Sequence, residues 1–137
     1  MNNKLALILF SGTADKLMAA ANIAAGAAAA GLEVHIFLTF GGLLAFRKDD
    51  WKSNDRVSAD LGPQAAQVQA ALHQSGVPSW LQVLKDASEI GSVKISACLM
   101  SLEMLNLKLE DLEPIVTDVA TVSNFLGAMA GGTPLFI

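Results

Sequence analysis

Residues 5–39 read LALILFSGTADKLMAAANIAAGAAAAGLEVHIFLT. Leu5–Phe10 is a continuous apolar run, the pattern of a strand buried on both faces. Ser11-Gly12-Thr13 is the turn after it, and Thr13 or Asp15 can cap the next helix by accepting a backbone hydrogen bond. The spacing predicts that helix from Asp15 to Ala30. It is rich in alanine, so its backbone can lie close to whatever it covers. Gly31 suits the left-handed stop that follows. In Glu33–Thr39, Val34, Ile36 and Leu38 face one way, and Glu33, His35, Phe37 and Thr39 the other. Strand, helix and strand over this span predict a right-handed βαβ unit with parallel strands.

The remaining chain continues the alternation. Phe40-Gly41-Gly42 reads as a tight turn, and Leu43–Phe46 opens a short helix. Residues 47–60 carry charge of both signs around Trp51 and read as a polar loop or insertion, with a lid over a site as its functional option. Pro63–Gln74 reads as a helix. Ser79–Ile90 reads as another, with Trp80, Leu81, Leu84 and Ala87 at core spacing. Val93–Ala97 is predicted as the third strand and Leu99–Leu105 as a helix. A solvated acidic link spans Leu109–Pro114. Ile115–Thr117 is predicted as the fourth strand, and Asp118 as the N-cap of the last helix. In that helix Val119, Val122, Phe125, Leu126 and Met129 share a face. Pro134–Ile137 is predicted as the fifth strand. The expectation is one three-layer α/β/α domain over residues 1–137, with a five-stranded, mostly parallel sheet. Strand order is not legible in the sequence.

Composition narrows the function classes. The chain has 137 residues, 53% hydrophobic and 16% charged, with a formal net charge of -4. Nucleic-acid binding needs clustered Lys and Arg, and an anionic membrane surface attracts the same residues, so neither partner is expected. The apolar run Leu17–Leu32 contains Asn22, Gly26 and Gly31 and falls short of the roughly 20 strongly apolar residues of a span. One cysteine and two histidines provide for no internal disulfide and no zinc site, so no metal is expected. A reduced, cytoplasmic setting is consistent with that cysteine usage.

The cysteine is Cys98, placed where the apolar spacing changes from strand to helix. A helix start offers unpaired N–H groups and the positive end of the helix dipole, both of which favour a thiolate. Equally, a buried cysteine can act simply as a small hydrophobe. In a parallel sheet, ligands gather beyond the carboxyl ends of the strands. The turns predicted there carry Ser11, Gly12 and Thr13; Phe40 and Gly41; Cys98 with Met100 and Ser101; and Asp118. Met100 and Met104 read as core fillers whose soft walls also suit a sulfur ligand. Glu103 reads as a helix-start carboxylate whose charge would oppose a nearby thiolate. His35 reads as a satisfied core or interface histidine, and His73 as solvated.

Two blocks carry a family resemblance. The first comprises Asp15-Lys16, Asn22, Ala24-Ala25, Gly31–Val34 and Phe37–Leu43; the second is Val93–Leu105, VKISACLMSLEML. With the Asp111–Phe125 region and the closing Leu135–Ile137, they resemble the DsrE/DsrF/DsrH-like sulfur-relay family, in its larger, "peroxiredoxin-like" DsrE-like branch. Leu102 stands where that branch usually has methionine, and Asn106 where it usually has glycine.

The resemblance implies a DsrE-like α/β/α domain, assembly as a homo-oligomer, and a cysteine that carries sulfane sulfur as a persulfide. Only Cys98 matches that position. The implied activity is that of a sulfur carrier or sulfurtransferase, without a cofactor. With no second cysteine the sulfur leaves to a TusA-like carrier protein or a small thiol. Two alternatives stay open: a structural or regulatory oligomer with an inert Cys98, and a flavodoxin-like mononucleotide binder at Ser11–Thr13.

Overall fold

The computed structural model describes residues 3–137. Five strands form one parallel sheet: β1 (Lys4–Leu9), β2 (Glu33–Leu38), β3 (Val93–Cys98), β4 (Asp118–Ala120) and β5 (Thr133–Phe136), in the order β4-β3-β2-β1-β5. The chain steps outward from β1 to β4, then returns to place β5 against the other side of β1. The helices are α1 (Ala14–Ala29), α2 (Phe40–Ala45), α3 (Ala65–Leu72), α4 (Trp80–Ile90), α5 (Leu99–Met104) and α6 (Val122–Ala128). None of them is long and apolar enough to cross a membrane.

The alternation in each strand divides the core into two. Leu5, Leu7 and Leu9 of β1, Val34, Ile36 and Leu38 of β2, and Ile95 and Ala97 of β3 pack under α1 and α4. The alanine face of α1 does what its composition suggests: a Cβ on Gly91, after α4, would meet the Ala28 carbonyl oxygen at 2.8 Å. Ser79 caps α4, its hydroxyl accepting from the Gln82 N–H at 3.1 Å. On the other face Ala6, Phe37 and Cys98 pack with Phe125 and Met129. That face is covered by the short α6, so one side of the sheet is thinly roofed.

Several sequence expectations shift. The predicted turn at Phe40 is already helical, and Phe40 itself has φ 43°. The predicted Pro63–Gln74 helix begins at Ala65, after a 3-10 segment, Ala59–Gln64, kinked at Gly62. The fourth strand is Asp118–Ala120, not Ile115–Thr117: the Val116 N–H turns back onto the Glu113 carbonyl, while Asp118 bonds into the sheet. Asp118 therefore does not cap the last helix. Thr121 does, accepting from the Asn124 N–H at 3.1 Å. The shared apolar face also divides, with Phe125 and Met129 buried while Val119, Val122 and Leu126 are exposed. Met100 and Met104, read as core fillers, are exposed as well. The acidic link is not wholly solvated: Glu113 is buried, and its Oε2 accepts the Asp49 N–H at 2.7 Å. Asn106 has φ 55°, a conformation that glycine adopts freely and asparagine tolerates.

Candidate functional site

Cys98 is the last residue of β3 and the N-cap of α5, with no side-chain capping bond. Its register partner on β4 is Ala120. The residue is 2% exposed, yet it lines two openings. The larger, of about 340 Å³, lies beyond the carboxyl ends of β1, β2, β3 and β5. Phe10, Phe37, Phe40, Phe125 and Phe136 wall it, and no polar atom contributes to its exposed surface. The smaller, of about 170 Å³, is lined by Cys98, Leu99, Met100, Glu103, Thr121 and Val122. Glu103 is in the second half of α5, not at its start, and its carboxylate belongs to this second opening.

The walls are held by ring contacts and by a bond across the turns. Phe125 stacks on Phe37 with centroids 4.7 Å apart, and Phe10 contacts Phe40 at 5.7 Å and Phe136 at 5.6 Å. The buried Ser101 hydroxyl accepts the Phe40 N–H at 3.4 Å, tying the start of α2 to α5. A left-handed backbone at a phenylalanine costs on the order of 1–2 kcal/mol, so this link holds a strained residue in the pocket wall.

Of the rim residues named from sequence, Phe40, Met100 and Ser101 line the larger opening with Cys98. Ser11, Gly12, Thr13 and Gly41 do not. They form a seat where two turns meet: a Cβ on Gly12 would lie 2.2 Å from the Gly41 carbonyl oxygen. Asp118 is set back from the rim. It pairs with Ser96, two residues before Cys98, and belongs to a different constellation. There the Ser96 hydroxyl donates to Asp118 Oδ1 at 2.5 Å, His35 Nε2 lies 2.8 Å from Ser96 Oγ, and Lys94 Nζ is 3.2 Å from Asp118 Oδ2. Because Ser96 gives its proton to the carboxylate, His35 Nε2 is the donor to Ser96. Burial, then Lys94, pushes the His35 pKa below 6.5, against the opposing charges of Asp118 and Glu33. The Phe125 ring stands edge-on to His35 at 4.9 Å, so one ring touches both this polar chain and the Cys98 pocket.

Residues 47–60 act as a strap across the start of α1. The Arg56 carbonyl accepts the Ala14 N–H at 2.6 Å, and Asn54 Nδ2 donates to the Gly12 carbonyl at 2.8 Å. Asp15 accepts from the Ser58 hydroxyl at 2.7 Å and from the Ser58 N–H. Burial raises the Asp15 pKa, but hydrogen bonds from the Ser58 and Thr13 hydroxyls and the Ser58 and Lys16 amides hold it below 3.8. Thr13, at the N-cap, makes no side-chain capping bond. At the Ser11–Thr13 turn the Ala14 N–H is taken by the Arg56 carbonyl and the Asp15 carboxylate lies beside it, while the Arg56 guanidinium donates to the Gly12 carbonyl at 3.3 Å. Another cavity of about 340 Å³ lies between this strap and α4, lined by Trp51, Lys52, Asn54, His73 and Trp80 among others. Cys98 is not part of it.

Apart from Phe40, the aromatic walls are not marked in the sequence. Ile8, Phe10 and Phe37 occupy the second phase of strands whose apolar runs mark both faces as buried, and nothing local singles them out. Cys98 with its AC–MS surround was the legible part.

Comparisons with known proteins agree with this architecture. The model of the DsrE/DsrF/DrsH-like family matches residues 1–68 and 57–136. The chain is similar to the uncharacterized protein YrkE of Bacillus subtilis (strain 168), 33% identical over 155 aligned positions that cover 96% of this chain and 94% of that protein. It shares its fold with MTH1491 of Methanobacterium thermoautotrophicum, a protein of unknown function, at TM-score 0.66 and 10% identity, over 99% of this chain and 100% of that one. A family match that runs through both the βαβ unit and the Cys98 block means that the chain belongs to the DsrE/DsrF/DrsH-like family.

Proposed function

We propose that the protein is a sulfur carrier in which Cys98 holds sulfane sulfur as a persulfide and passes it to a partner thiol. The observation that carries this reading is the position of the chain's single cysteine at the end of β3, where two openings meet. Family membership supports a sulfur-relay role. In loading, the Cys98 thiolate attacks the outer sulfur of a donor persulfide, the S–S bond breaks, and the donor leaves as a thiolate. In unloading, an acceptor thiolate attacks the outer sulfur and Cys98 is released. With no second cysteine, the acceptor is a TusA-like carrier protein or a small thiol.

The exposed Leu99, Met100, Met104, Val122 and Leu126 around the openings give a partner apolar surface to dock on. The same side chains and the thin roof of α6 favour homo-oligomeric assembly. A reduced, cytoplasmic setting suits a free thiol.

The 2% exposure of Cys98 favours a rival reading, an oligomeric module with an inert cysteine. Intact-mass measurement separates the two. After prolonged exposure to excess sodium polysulfide, the wild-type protein is expected to gain the mass of one sulfur and lose it to added thiol. Cys98→Ser is expected to gain none. A wild-type protein that stays unmodified until it is unfolded would establish the inert reading.

A further inference from the structure

We propose that the donor serving Cys98 is a persulfide, R–S–SH, whose R group is an uncharged hydrocarbon. This rests on the persulfide reading above and specifies its substrate. The larger opening onto Cys98 presents rings, aliphatic carbon and sulfur; the Ser101 hydroxyl in its lining is turned to the Phe40 N–H. No Lys, Arg or His among the described residues lines either opening. The ionisable side chain beside Cys98 in the second opening is the Glu103 carboxylate, which repels anions. Lys94, four residues before Cys98 on the same face of the sheet, is held by Asp118. A donor bearing carboxylates would lose hydration with no cation in return, whereas a hydrocarbon group gains by leaving water. Space is adequate: an apolar cavity of about 150 Å³ accepts benzene, and this one is about 340 Å³.

The step is balanced without another reagent. The Cys98 thiolate forms a bond to the outer sulfur of R–S–SH, and the S–S bond breaks with its electron pair leaving on R–S⁻. The proton stays on the transferred sulfur, giving Cys98–S–SH with no net oxidation.

The test compares loading rates from benzyl hydropersulfide, released in place from a precursor, and from glutathione persulfide, which carries carboxylates. An unstructured cysteine peptide corrects for the intrinsic reactivity of each donor. Rapid alkylation and intact-mass analysis measure the product. The benzyl-to-glutathione rate ratio is expected to exceed that of the peptide by about tenfold, the effect of an apolar wall on a charged group. Val122→Lys, at an exposed position shared by both openings, is expected to bring the ratio at least about threefold closer to that of the peptide, by giving an anion a counter-charge. A wild-type ratio equal to the peptide's, with loading from both donors, would overturn the donor class and leave the carrier intact. An unchanged ratio in Val122→Lys would overturn the assignment to this pocket. Loading of Cys98 from neither donor would remove the carrier reading, and the donor class with it.

Discussion

The ring of Phe125 lies on that of Phe37, centroids 4.7 Å apart and planes 16° from parallel. That stack anchors α6 to the sheet and forms part of the wall beside Cys98. Phe125→Ala is expected to cost about 3–5 kcal/mol, the range for emptying a buried aromatic site, measured by urea unfolding. Alkylation of Cys98 in the folded variant should be faster than in the wild type, because the roof over the thiol is lost.

The chain Lys94–Asp118–Ser96–His35 predicts a pH dependence. The His35 pKa is lowered below 6.5 in the folded protein, so the neutral ring is favoured there. Its contribution to stability is complete above 6.5 and declines as pH falls through 6.5 toward the lowered folded value, because the unfolded chain takes up the proton first. Unfolding midpoints should therefore drop on acidification below 6.5. His35→Gln, which keeps a side-chain donor for Ser96, should flatten that slope. An equal slope in both proteins would assign the effect to other groups.

The sequence carried the βαβ start, the parallel sheet and the position of Cys98, because each depends on local periodicity. It did not carry the surroundings of Cys98. Phe37 and Phe125 are 88 residues apart and meet only once β2, β3 and α6 are assembled. Asp118 illustrates the same limit. Before a stretch of helical spacing, an aspartate reads as a cap, but here Ser96 and Lys94 on the adjacent strand draw it into the sheet. Met100 and Met104 have core composition and a surface position, since the helix they occupy is six residues long and stands at the rim.

The seat between Gly12 and Gly41 has no room for a side chain. A Cβ on Gly12 would lie 2.2 Å from a backbone oxygen, so the two turns must separate to admit it. Gly12→Ala is expected to destabilise the fold by about 2 kcal/mol, as overpacking does. Gly26→Ala is the control: nothing lies within 4 Å of its Cβ position, and a helix gains from the exchange. Thermal unfolding of the two variants should move in opposite directions.

The strap over α1 depends on Asp15 and Ser58. Ser58→Ala removes the hydroxyl that donates to Asp15 at 2.7 Å and is expected to cost about 1–2 kcal/mol at neutral pH. Asp15 has a lowered pKa, so its contribution is present above 3.8 and disappears as pH falls through the folded value. The gap between wild type and Ser58→Ala should accordingly narrow in strong acid, as read from urea midpoints at neutral and acidic pH.

Glu103 tests whether charge at the opening governs access to Cys98. Its carboxylate lines the smaller opening with Cys98, Met100 and Val122. Iodoacetate and iodoacetamide attack a thiol by the same route and differ in charge. An anionic reagent passing the carboxylate is slowed, while a neutral one is not, and the slowing weakens as salt shortens the range of the field. Glu103→Gln keeps the shape of the side chain and removes the charge. It is expected to raise the iodoacetate rate about twofold more than the iodoacetamide rate at low salt, the scale of a partly screened single charge. The iodoacetate gain should fade at high salt. If both rates rose together and salt had no influence, Glu103 would be acting as a physical cover over the opening, and its charge would play no part in selecting what reaches the sulfur.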